Sequence, residues 1–169
     1  MPDLSFHSPD DGFSRDRDAF LRELLRELAG VLESRVGKAD AEGFIACVGT
    51  RIGERMDAEY RARLGVDHLD LRQIASVLVD LKARIEGGFA IESITEDRIV
   101  LVNRACPFAE HVVDRETLCM MTSSVFGRIA ANNQGYARIE IPEAIARGDP
   151  RCRVVIAFSE GVGGREYFG

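Results

Sequence analysis

The apolar positions of the chain first repeat with a helical period. From Ala19 to about Val36, the residues Leu21, Leu24, Leu25, Leu28 and Leu32 fall on one face with Arg and Glu opposite, which predicts an amphipathic helix. Gly37 fits its C-terminal stop. Asp40 can cap a second helix, on which Phe44, Ile45, Val48, Ile52 and Met56 share a face up to Gly65. A third helix carries Leu71, Ile74, Leu78, Leu81 and Ile85 and stops at Gly87-Gly88. The period then changes to two. Phe89, Ile91 and Ile94 alternate with smaller or polar residues, Thr95-Glu96-Asp97 reads as a turn, and Ile99 to Val102 is a continuous β-branched and Leu run, so a hairpin is expected. After a loop at 104–114, with Asp114 as the expected cap, Leu118, Met121, Val125 and Ile129 define a fourth helix that Gly135 ends. Tyr136 to Ile141, broken by Pro142, and Arg153 to Phe158 read as two further strands.

Helices, hairpin, helix, strands: that order predicts an α+β fold, with N-terminal helices packed with an antiparallel sheet of about four strands and one inserted helix. Residues 1–18 read as a flexible lead-in, 19–158 as a single domain, and the Gly-rich stretch 159–169 as a loose tail. Gly49 and Gly53 stand four apart on the second helix. Each costs about 1 kcal/mol relative to Ala in a helix, which a close helix–helix approach, such as a homodimer face, would offset.

Composition narrows the function classes. The chain has 169 residues, 46% of them hydrophobic, enough for a core without staples. Its 22 Lys and Arg against 28 Asp and Glu give a net charge of −6, which disfavours a direct nucleic-acid partner. No apolar run approaches the roughly 20 residues that span a bilayer, and the first 18 residues lack an apolar signal core. A cytoplasmic protein with no membrane partner is therefore expected. Its four cysteines are then read as thiols or metal ligands rather than disulfides.

Three of the cysteines stand at the ends of predicted elements. Cys106 follows one strand, Cys152 precedes another, and Cys119 lies early in the fourth helix. If the two strands pair antiparallel, the end of one meets the start of the other. A helix N-terminus at the same edge would favour a thiolate through its free N–H groups and dipole. Twelve residues separate Cys106 from Cys119 and thirty-two separate Cys119 from Cys152, which is not the spacing of paired zinc knuckles. Thiolates suit zinc, copper(I) or an iron–sulfur cluster, with His111 as the candidate fourth ligand and Asp149 behind it. The plain alternative is that each is a small buried hydrophobe, as Cys47 is read within its helix. No P-loop, G-x-G-x-x-G or G-x-S-x-G motif occurs.

Three blocks carry a resemblance: Asn103-Arg104-Ala105-Cys106-Pro107-Phe108, Leu118-Cys119-Met120-Met121-Thr122, and Gly148-Asp149-Pro150-Arg151-Cys152-Arg153-Val154-Val155. Over roughly residues 20–158 the chain resembles the methanogen output domain, a signalling module related to 4-vinyl reductase-like domains, in a larger group with haem nitric oxide-binding sensors and TRAPP transport subunits. The Asn-x-x-Cys-Pro start is also similar to the C-terminal region of winged-helix repressors that carry an iron–sulfur cluster, although this chain has no basic winged helix and a longer third spacing. The resemblance implies a sensor that holds a metal, cluster or small ligand at Cys106, Cys119 and Cys152 and relays its state to a signalling partner protein. The alternative expectation is a small enzyme, of reductase or hydrolase type, using Cys119 as nucleophile or a bound metal.

Overall fold

The computed structural model describes residues 16–169, so nearly all of the expected lead-in lies outside the described residues. Four helices, α1 (Arg17–Val36), α2 (Lys38–Leu64), α3 (Leu71–Ala83) and α4 (Cys119–Gln134), accompany five strands, β1 (Phe89–Ile94), β2 (Arg98–Asn103), β3 (Tyr136–Glu143), β4 (Cys152–Ala157) and β5 (Arg165–Phe168). Short 3-10 turns occupy Ala109–Val112, Glu116–Leu118 and Ile145–Arg147. The strands form one antiparallel sheet in the order β1-β2-β4-β3-β5. This is the predicted α+β class, with five strands rather than about four.

The main core lies between the sheet and the pair α3 and α4. Ile74 and Leu78 of α3 and Phe126 and Ile129 of α4 are fully buried with Ile99, Leu101 and Ile156 of the sheet. Phe89 meets Phe126 edge to face at 5.5 Å between ring centroids. Asp70 opens α3 with a complete capping box, its carboxylate accepting from the Gln73 N–H while the Gln73 side chain accepts from the Asp70 N–H.

α2 packs across the outside of α4 through a stripe of small residues. Ala41, Ile45, Gly49, Gly53 and Asp57, four apart, are its buried positions. A Cβ on Gly49 would lie 2.7 Å from Ser124 Cβ, so only glycine permits this approach. The glycine pair therefore serves a contact within the chain, and the homodimer face expected there is covered by α4. Asp57, wholly buried, accepts hydrogen bonds from Asn133 Nδ2 at 2.6 Å, Asn132 Nδ2 at 3.2 Å and Arg61 Nε at 3.1 Å, which fastens α2 to α4.

Other elements depart from the sequence reading. The stretch 159–169 ends in β5, which pairs with β3 and buries Tyr167; its hydroxyl shares a 2.8 Å hydrogen bond with Ser123 Oγ. Gly127 leaves room for that ring, since a Cβ there would fall within 2.1 Å of it. Pro142 does not end β3 but coincides with a register shift between Glu140 and Glu143, the irregularity a residue without an N–H imposes. Asp114 does not cap α4. It has a positive φ of 58°, and α4 begins at Cys119 behind the turn at Glu116–Leu118.

The largest departure is α1. Its apolar stripe faces away from the body: Leu21, Leu24, Leu25 and Leu28 are 41–50% exposed. The side toward the body holds Arg22, Arg26, Ala29, Gly30 and Glu33. Arg26 Nη1 donates to the carbonyls of His111 at 2.7 Å and Val113 at 2.6 Å, Thr117 Oγ1 donates to Glu33 Oε1 at 2.5 Å, and Arg22 pairs with Glu86 at 2.8 Å. The helix thus docks by polar bonds rather than by its leucines.

A three-cysteine chamber with a buried lysine

β2 and β4 run side by side, and Asn103 at the end of β2 pairs with Cys152 at the start of β4. That register carries the two cysteine blocks to the same sheet edge. Asn103, 2% exposed, accepts a 2.8 Å hydrogen bond from the Ala105 N–H and so starts the turn that brings Cys106 back over the edge. Between Cys106 and Cys119 the chain makes two tight 3-10 turns and holds Ala109 and Asp114 at positive φ, 48° and 58°. A non-glycine residue there costs on the order of 1 kcal/mol or more, so this connection is compact at some expense in strain. It delivers Cys119 as the first residue of α4.

The result is one cavity of about 30 Å³ lined by all three cysteines. Phe89, Phe108, Val112, Leu118 and Val154 make its walls mostly apolar, and Thr122 and Asn103 are its polar members. Cys152 Sγ accepts from the Ile145 N–H at 3.4 Å. Cys119 also lines a separate outer cleft with Glu116, Met120, Ser123 and Arg147, so it stands between the chamber and the surface.

Behind the thiols lies Lys82 of α3, 5% exposed. Its Nζ donates to Thr122 Oγ1 at 2.8 Å and lies 5.4 Å from the Phe126 ring centroid and 5.7 Å from that of Phe89, within cation–π range of both. Burial pulls Lys82 down from its ordinary value to about 8, and the three cysteines oppose that shift. The sequence carries a signal for this residue in its place on the helix. Lys82 falls four positions after Leu78, on the arc of α3 that its apolar stripe turns into the core.

Burial also raises the thiols. Cys119 is pushed up to about 12, by burial first and then by Cys152 and Cys106. Cys106 and Cys152 move in the same direction for the same first reason. Burial first, and the neighbouring thiols after it, therefore work against the thiolate expected at this helix terminus and favour the neutral thiol. A nucleophilic cysteine needs the opposite shift.

The other candidates fall elsewhere. His111 is not among the residues lining the chamber, which the turn meets through Phe108 and Val112 instead. Its Nδ1 is buried without a hydrogen-bond partner and lies 3.8 Å from Glu110 Oε1. Asp149 accepts from the Ala144 N–H at 2.7 Å. Cys47 is exposed rather than core. Three soft sulfurs beside a buried ammonium are suitable chemistry for a soft metal ion. Their arrangement does not yet close on one: among the described residues no three His, Cys, Asp or Glu side chains are grouped to hold a metal.

Solved structures share the fold. The phenol-responsive sensory domain of the transcription activator PoxR, crystallised with phenol, superposes with a TM-score of 0.63 at 14% identity, covering 84% of this chain and 74% of that one. A trafficking protein particle complex subunit 3 from Naegleria fowleri, covalently bound to palmitic acid, gives 0.57 at 13% identity, covering 83% of this chain and 96% of that one. No curated protein matches the chain in sequence. Among the described residues no helix is long and apolar enough to cross a membrane. The model of methanogen output domain 1 matches residues 24–157, a span that contains all three cysteine blocks and Lys82, and the chain belongs to that family.

Proposed function

We propose that this chain is a sensory signalling domain, that its input is taken up in the three-cysteine chamber, and that its state is relayed to a partner protein. The observation that supports this reading is the convergence of Cys106, Cys119 and Cys152 on one small cavity from three separate parts of the chain, with the buried Lys82 bonded to its lining residue Thr122. Thiols raised by burial and a lysine lowered by it form a site in which charge is costly. A ligand that binds there as a cation lets thiols release protons, and the ammonium of Lys82 balances the excess negative charge of a thiolate set.

The ligand that suits these donors best is a single soft ion, zinc or copper(I). A volume of about 30 Å³ admits an atom of that size. An iron–sulfur cluster calls for a wider chamber, to which the connection at 106–118 would have to yield. A second reading, a small apolar ligand, is favoured by the aromatic and aliphatic walls, and it too requires that widening. The relay would pass through the same connection, because α1 is fastened to it at His111, Val113 and Thr117.

Anaerobic purification with zinc, copper, iron and sulfide analysis tests the reading. The expected result is about one equivalent of zinc or copper per chain, or iron with sulfide, falling several-fold in Cys119→Ser. A folded, metal-free protein that takes up none of these ions on titration would overturn the metal version. Phenol titration of that protein, followed by calorimetry, then decides the small-ligand version.

A further inference from the structure

α1 carries its apolar stripe outward. Phe20 and Val31 extend the four leucines, at 53% and 55% exposed, along the whole helix. On the adjoining helix Phe44 and Val48 are also exposed, at 56% and 50%. At about half exposure each, eight such side chains offer on the order of 600 Å² of apolar surface, at or above the largest patch of a typical monomer. The stripe cannot roll inward, because the opposite side of α1 is already bonded to the body through Arg26, Glu33 and Arg22.

We propose that a second copy of this chain seats on this face, α1 against α1 in antiparallel sense, with Phe44 and Val48 extending the contact. Two features select this occupant. The first is area: a stable interface buries roughly 800 Å² per partner, which this patch and its polar rim supply. The second is charge. Arg17, Arg22, Arg26 and Arg35 balance Asp18, Glu23, Glu27 and Glu33, so the helix is neutral, with Asp18 in its first turn and Arg35 in its last. A two-fold axis across antiparallel helices directs Asp18 of each copy toward Arg35 of the other and opposes the two helix dipoles. An interfacial membrane helix carries a cationic polar face instead, and this neutral helix belongs to a chain of net charge −6.

The proposal concerns α1 and stands whether or not the chamber binds a metal. Sedimentation velocity of the full chain between about 1 and 100 μM should show a monomer–dimer equilibrium, corresponding to binding of roughly −7 kcal/mol or better. Leu24→Glu combined with Leu28→Glu should weaken association at least about 100-fold with unchanged circular dichroism, since neither side chain is in the core. Val31→Glu alone should weaken it as well. Asp18→Arg and Arg35→Asp should each weaken the dimer, and the two together in one chain should restore it. A chain still monomeric at the highest concentration, a dimer indifferent to the leucine substitutions, or a monomer that instead co-sediments with anionic lipid vesicles would overturn the proposal. Failure of the charge swap to restore association would overturn the antiparallel arrangement.

Discussion

α1 and α3 are both written in the sequence as amphipathic helices, and they meet opposite fates. α3 turns Ile74, Leu78 and Leu81 into the core. α1 turns its leucines to solvent and docks through Arg26 and Glu33. A periodic apolar stripe states that a face wants cover, but not what covers it. The difference lies in the partners each helix meets. α3 faces β1 and β2, whose inward side chains are apolar, whereas α1 faces the 3-10 turns at 109–118, whose bare carbonyls call for donors.

The contrast can be broken in order of size. Leu78→Ala on α3 removes a wholly buried side chain and should lower unfolding stability by about 2–5 kcal/mol in denaturant titration. If it costs under 1 kcal/mol, the main core is not where we place it. Lys82→Met should act in the other direction, raising stability at pH 7 by about 1–3 kcal/mol while abolishing ligand response, because the buried ammonium is a cost the fold carries for its site. A destabilised Lys82→Met protein would mean that the Thr122 hydrogen bond and the two ring contacts outweigh desolvation.

The same groups fix a pH dependence. Lys82 is lowered in the fold to about 8 against an unfolded value of 10.5, so between those values the unfolded chain binds more protons and stability rises with pH. Cys119 is raised to about 12 against 9.0, so above pH 9 the folded chain holds the extra proton and stability falls. From these two groups, thermal melts should show a rise from about pH 8 to about pH 9, little net change up to about pH 10.5 while the opposed slopes offset, and a loss above that, whereas Lys82→Met should lose stability from about pH 9 onward. Smaller still is Arg26→Ala, which should cost about 1 kcal/mol and expose the α1 backbone to faster hydrogen exchange. Least of all, Leu28→Ala should change the stability of dilute monomer by no more than about 0.5 kcal/mol. A larger loss there would mean that the stripe is covered within one copy.

Much of the fold was legible because local chemistry and tertiary demand agree. Gly65 and Gly135 end their helices in the left-handed conformation that only glycine adopts freely, and the β1–β2 hairpin follows its alternation. The convergence of the cysteines was legible too, because an antiparallel pairing of the strands beside Cys106 and Cys152 leaves them no other edge. What escaped was decided by nonlocal burial. Tyr167 reads as part of a glycine-rich end until Gly127 and Ser123 supply a slot for it. Cys119 reads as a helix-terminus thiolate until the walls around it are counted. No local motif marks Lys82, whose role depends on the cysteines that nonlocal folding sets near it. His111 carries a ligand's chemistry, but its turn offers the neighbouring Phe108 and Val112 to the cavity instead.

Gly37 closes α1 and opens α2 by itself, with no further residue between the two helices. That single joint makes α1 a lever. Twenty residues at 1.5 Å each give it an arm of about 30 Å. A turn of only about 5° at the joint carries the Asp16 end sideways by about 2–3 Å, the scale of a helix shift at a subunit interface. The bonds from Arg26 take hold about midway along the arm, so a displacement of the turns between Cys106 and Cys119 would arrive at its tip roughly doubled.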